Sequence, residues 1–441
     1  MKQLQHSMTL VVLVIALASI ATITKAQTTQ LLTLEAATSK ALSNNKTVQL
    51  AKMDETIAAA NYKQTEAIYL PQVGLSYTAF STNNPLNAFG FQLQQKSIAQ
   101  SDFNPDLLNR PDAIPDFTTK LEVLQPLINM DAVYMRKGAA KQIEAYQYKT
   151  QRTSEYISFE VQKAYLQLQL AYDAMAVIEE ALTTTKAVYT FSNNYFKQGL
   201  VQQSDVLNVQ VQVASLENNL AKAKSNIGNA SDYLSALMGQ PLGTIYTATK
   251  TAFTTITNDT IAATRADFMA MQKAIDASNL MIQSSKMSYL PKLNAFGSYQ
   301  LNDSRMLGFG AGAYLVGAQV SWHIFQGNKT KNTIATQTLE RNKLAAQLAQ
   351  QKEQSNVELS KAKRDIADAQ TEITRQKVAI EQATEALRIL QNRYQQGLVN
   401  TTDVMMATTQ LSQQKFGLAQ AIFNQNLSKA YTQLLTSSTT K

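Results

Sequence analysis

Apolar residues recur along this chain with two different periods. Over its second half, Leu359, Ile366, Ile373, Ile380 and Leu387 fall every seven residues and lead to Tyr394; in the first half Val161, Leu168, Met175, Leu182 and Tyr189 lead to Phe196. The positions three residues further on are mostly small, as at Ala362, Ala369, Ala383, Ala164 and Ala171. A strict seven-residue repeat predicts helices in a left-handed supercoil, and small partners let their backbones approach closely. Residues 328–392 contain neither Pro nor Gly; one unbroken helix of that length would reach roughly 100 Å. Val206, Val213, Leu220, Ile227 and Leu234, and the run 402–435, carry the return. Each half therefore predicts a long antiparallel coiled-coil hairpin, with its tip near Gly199 or Gly397.

Elsewhere the period is two. Tyr314, Val316, Ala318, Val320, Trp322 and Ile324 alternate with Gly317, Gln319, Ser321 and His323, and Val73, Leu75, Tyr77 and Ala79 alternate with Gln72, Gly74, Ser76 and Thr78. Leu293, Ala295 and Tyr299, then Leu121, Val123 and Leu127, follow the pattern less cleanly. This is the lipid-out, lumen-in alternation of a membrane strand, with Trp322 placed for an aromatic girdle. Four strands are expected, at about 72–80, 118–128, 292–301 and 308–325. Open sheet edges are not tolerated in hydrocarbon and bacterial barrels have about eight or more strands, so several copies must close one barrel. Two copies or three would both serve.

The two periods occur twice because the chain is duplicated. Tyr69-Leu70-Pro71 returns as Tyr289-Leu290-Pro291 after 220 positions, whereas Gly199-Leu200-Val201 with Asp205-Val206 returns as Gly397-Leu398-Val399 with Asp403-Val404 after 198. The difference of 22 is an insertion in the first copy, located between its strands at 81–117, opposite a short 302–307 in the second. Two repeats are expected, 27–245 and 246–441, joined by a Thr-rich linker near 240–260. Helices flank each strand pair on one side only, so the insertion belongs on the other, extracellular side.

Composition fixes the compartment. Lys2, an uncharged run over residues 8–23 and the small Ala26 predict a cleaved signal peptide, 1–26, since the run is too short to span a bilayer. Cysteine is absent, which excludes disulfides, thiolate metal sites and cysteine catalysis. The formal net charge is +8, but its basic residues are interleaved with acids on helices, a solvated face and not a nucleic-acid patch. Enzyme chemistry has little to stand on. His323 alone survives signal removal and sits in a strand pattern. Gly308, Gly310 and Gly312 lack the Lys-Ser/Thr of a phosphate loop and are read as strand glycines. No cofactor and no metal is expected.

Taken together, the residues from Leu32 to Ala41, the two Tyr-Leu-Pro helix ends and the two Gly-Leu-Val…Asp-Val tips resemble the TolC-like outer-membrane efflux protein family over nearly the whole mature chain. The resemblance implies a mainly α fold with a membrane β part: coiled-coil hairpins forming an α-barrel across the periplasm, and four strands per chain in a shared, trimeric, 12-stranded β-barrel. It implies a homotrimer in outer-membrane lipid, with tips docking a periplasmic membrane-fusion adaptor that leads to an inner-membrane pump of RND or ABC type. Gly199, Leu200 and Val201, with Gly397, Leu398 and Val399, match the docking turns; the alternative is that the apolar residues only staple the next helix. Asp403 matches a constriction carboxylate and Asp205 is its copy-one counterpart, although a first-turn carboxylate is also favoured by the helix dipole. The family's second carboxylate is Met406 here, implying a weaker acidic ring and a more apolar girdle. The competing expectation, a periplasmic coiled-coil adaptor or structural envelope protein, does not account for the strand pairs.

Overall fold

The computed structural model describes residues 29–250 and 260–438, so the expected signal peptide, 1–26, and part of the Thr-rich linker lie outside the described residues. The chain forms two compact units. One comprises residues 50–152 and 263–354, the other residues up to 49, 153–262 and 355–437. Three helices, α2 (Lys46–Gln64), α5 (Met130–Lys197, 68 residues) and α8 (Lys329–Gln395, 67 residues), contribute to both.

The first unit is built on one antiparallel sheet of β2 (Gln72–Thr82), β3 (Ile114–Ile128), β5 (Lys292–Asp303) and β6 (Ala311–Ser321), in that spatial order. Pro71 and Pro291 stand just before β2 and β5, where they cannot continue a helix. The register sorts the side chains. Leu75, Leu121, Tyr299 and Tyr314 form one cross-strand row, and Val73, Val123, Gly297 and Val316 the next, so one face is apolar. The rows between them, Ser76–Lys120–Gln300 and Gly74–Glu122–Ser298, lie on the opposite, polar face, where Lys120 and Glu122 form an ion pair. The weaker alternation near Leu127 has a local cause: the register shifts between Pro126 and Ile128, a bulge that leaves Leu127 out of row. With strands of 11 to 15 residues, each is long enough for a membrane span of about 9–11 residues.

Two expectations need correction here. Gly308 and Gly310 are not strand residues, because β6 begins at Ala311. They close a loop around the Asp303 carboxylate, which accepts from the Gly310 and Arg305 N–H groups, and a Cβ on Gly308 would fall 2.2 Å from Asp303 Cγ. Trp322 and Ile324 lie beyond the end of β6, and the Trp322 indole N–H donates to the Tyr289 carbonyl at 2.9 Å. Glu144 on α5 binds Lys141 and Lys273, the latter on α7 (Ala266–Met287), at 2.6 Å each. These ammonium groups hold its carboxyl below the usual range.

The second unit holds β1 (Thr29–Leu32), α1 (Leu34–Asn44), α6 (Gln203–Leu237), β4 (Ile245–Ala248) and α9 (Thr401–Thr436), with the later parts of α5 and α8. The segment expected to be only a linker contributes β4, which pairs in parallel with β1. Neither strand joins the four-stranded sheet. Both rest on α5, where the buried Tyr165 hydroxyl donates to the Leu32 carbonyl and accepts from the Thr249 N–H, each at 2.9 Å. The seven-residue ladders lie inside: Val161, Leu168, Leu182, Leu359, Ile373 and Leu387 are buried, as are the small partners Ala164, Ala362 and Ala369. The duplication reappears as geometry, since Tyr233 donates to Glu160 at 3.3 Å and, 198 positions on, Tyr431 donates to Glu358 at 2.9 Å.

Candidate functional site

The two hairpin tips form the candidate site. Gly199 and Gly397 end α5 and α8 with φ of +78° and +73°, the left-handed conformation in which a Cβ would be strained. In each, the following leucine N–H reaches back to a helix carbonyl, Leu200 to Tyr195 and Leu398 to Arg393, at 2.9 Å. The tight turn lifts Leu200 and Leu398 into solvent, 64% and 61% exposed. Val399 instead packs against the cluster of Val188, Val209, Leu387 and Val404, while Val201 is half-buried. The two tips line one groove of about 750 Å³, together with Tyr195, Asp205, Tyr394 and Asp403. The Tyr195 hydroxyl ties them by donating to the Gln395 carbonyl at 2.9 Å, and Ser192 and Tyr394 share a 2.6 Å hydrogen bond.

Asp205 and Asp403 take equivalent places. Each is the third residue of its helix, and its carboxylate accepts from the backbone N–H that precedes the helix, Gln202 or Asn400, at 3.2 Å. Asn400 returns the bond by accepting from the Asp403 N–H at 2.9 Å. Both carboxylates are half-buried, whereas Met406, one turn on from Asp403, is 60% exposed. At each copy the tip thus presents one helix-capping carboxylate, and at the second copy an exposed thioether beside it.

The sheet adds polar residues that the sequence reading did not single out. Lys120 and Glu122 interrupt the alternation on β3, and their face became evident only from the pairing with β2 and β5. Asp116 and Asn302, both buried, bond to each other at 3.0 Å and to Thr118. Two Asn-Pro pairs, Asn84-Pro85 and Asn104-Pro105, were a legible signal for helix starts inside the insertion, where α3 (Pro85–Gln94) and α4 (Pro105–Asn109) form.

The sequence profile of the outer membrane efflux proteins matches residues 37–240 and 259–438. The chain belongs to the outer membrane efflux protein family. No curated protein matches it. Among solved structures, this efflux protein is similar to CusC, with a TM-score of 0.78 and 16% identity over 92% of each chain. It is also similar to the Campylobacter jejuni CmeC outer membrane channel, with a TM-score of 0.78 and 16% identity over 92% of this chain and 87% of that one. VceC, an outer membrane protein of Vibrio cholerae, gives a TM-score of 0.74 and 18% identity over 92% and 96%. At such identities the likeness speaks for the fold: mainly helical, with few strands. No helix among the described residues is long and apolar enough to cross a membrane. As an efflux protein the chain resides in the outer membrane.

Proposed function

We propose that this protein is the protomer of a passive outer-membrane exit duct in a tripartite efflux or type I secretion system, and that three copies assemble it. The observation that carries this reading is the four-stranded sheet, apolar on one face, polar on the other and open at both the β2 and β6 edges. In hydrocarbon such edges must be paired, and a neighbouring copy supplies the pairing. Three sheets of this kind make a 12-stranded barrel lined by Lys120, Glu122 and Gln300. The two repeats, 27–245 and 246–441, each contribute a strand pair and a helical hairpin. The periplasmic membrane-fusion adaptor is assigned to the tips, with the exposed Leu200 and Leu398 as contacts and Gly199, Val201, Gly397 and Val399 shaping the turns, and an RND or ABC pump stands beyond it. Protein from unheated detergent extracts is expected to migrate near three chain masses and to collapse to one on heating. A monomer under all mild conditions would refute the assembly.

Asp403, Met406 and Asp205 are assigned to the periplasmic constriction. The exposed Met406 beside a carboxylate engaged in capping fits a girdle that attracts cations weakly. Asp403→Ala is expected to weaken cation block of single channels by a few-fold, and to cost about 0.3–1 kcal/mol of stability through the lost first-turn carboxylate. Cation block that Asp403→Ala leaves unchanged removes this residue from the constriction.

A further inference from the structure

The insertion between β2 and β3 does not extend away from the sheet; it folds back onto one face of it. Asn84 caps α3 by accepting from the Asn87 N–H at 3.3 Å, and Pro85 fixes its first turn, so the helix starts close behind the end of β2. The helix then binds the polar face. The Phe91 ring stacks on Phe80 with centroids 5.8 Å apart, and Phe80 pairs with Asp116 across β2 and β3. Gln95 Nε2 donates to Asp116 Oδ1 at 2.9 Å and to the Pro115 carbonyl at 2.8 Å; Lys96 Nζ donates to the Gly312 carbonyl at 3.1 Å. Asp116, Asn302, Ala311 and Ala88 are all buried at this contact. The helix and the two residues that follow it therefore bridge β3 and β6 across the same face that carries Lys120 and Glu122.

Its far side is different. Leu86, Gly90 and Leu93 recur at helical spacing on the side away from the sheet; Leu86 is 80% exposed, and a Cβ on Gly90 would meet nothing within 4 Å. By contrast, the 304–310 loop touches the apolar face, where the Leu307 N–H donates to the Tyr77 hydroxyl at 2.9 Å. One connection thus serves each face.

We infer that the insertion is a constriction built into the extracellular exit, holding Leu86 and Leu93 in the lumen and limiting the size of what leaves. The inference rests on the channel reading above, in which the polar face lines the lumen. A wall-bound helix on every copy occupies a width of about 10 Å from each side, a large part of a barrel this size. The leucines make the narrowing apolar, which favours solutes with an apolar surface over hydrated ions.

The absence of native cysteine allows a direct test on the full-length trimer in outer membranes. Gly74 is on the polar face, four residues along β2 from the row of Thr78 and Asn302, or about 13 Å deeper, and it has room for a side chain. Gly74→Cys and, as reference, Arg305→Cys on the exposed 304–310 loop are labelled from outside with a small impermeant maleimide and with a bulky polyethylene-glycol maleimide. Relative to residue 305, the bulky reagent is expected to lag at residue 74 by about tenfold. The lag should disappear when residues 84–112 are replaced by a short turn, and also in the milder Phe91→Ala/Gln95→Ala/Lys96→Ala variant. No lag with the insertion intact, or a lag that survives both changes, overturns the constriction. Failure of even the small reagent at residue 74, with normal labelling at 305, would instead sink the lumen assignment on which it rests.

Discussion

Val316→Arg is expected to destabilise the inserted protein by about 2–4 kcal/mol per chain, while Leu315→Arg, one position away, is tolerated. Both side chains are well exposed in the isolated chain, at 72% and 60%. The register separates them. Val316 pairs with Gly297 in a row with Val123 and Val73, at the middle of β6, so in the proposed barrel an arginine there meets the centre of the hydrocarbon. Leu315 pairs with Ser298 in a row with Glu122, so an arginine there faces water and a carboxylate. The heat-sensitive trimer band in outer-membrane extracts reads the outcome. Equal yields from the two variants, or a loss confined to Leu315→Arg, would overturn the assignment of faces.

The second large effect belongs to Tyr165→Ala, which is expected to cost about 3–5 kcal/mol. Its ring is fully buried among Leu32, Ala37, Val48, Val161 and Leu168, and its hydroxyl joins Leu32 to Thr249. Truncation removes packing, and it also takes a hydrogen-bond partner from the Leu32 carbonyl and from the Thr249 N–H. Tyr165→Phe keeps the ring and should lose only about 1–3 kcal/mol. Thermal unfolding followed by helical circular dichroism distinguishes them; identical midpoints for the two variants would show that packing contributes nothing here.

Much of the fold was legible because its signals are local. The ladders from Val161 to Phe196 and from Leu359 to Tyr394 lie in single helices, where every seventh residue returns to one face whatever else the chain does. The turns at Gly199 and Gly397 could be located for the same reason, since only backbone conformation at that residue demands glycine. The carboxylates were harder. Asp205 and Asp403 sit where a cap needs an acid, and the structure finds them capping; any role in a pore depends on neighbouring chains, which no local pattern encodes.

Local patterns along the chain specify the periodic skeleton: duplicated hairpins, four alternating strands, and an insertion in the first copy. Tertiary structure decided the features that depend on residues far apart in the chain. The pairing of β3 with β5 put Lys120 and Glu122 on the face opposite Tyr299 and Val316. The contacts of Gln95 and Lys96 with Asp116 and Gly312 bound the insertion to the polar face of the sheet. Tyr165 became a bolt between β1 and the segment after β4. The physical reason is the same in each case. Helix and strand periods follow from the geometry of a few consecutive residues, whereas strand neighbours and buried polar partners are selected by the free energy of the whole packed chain.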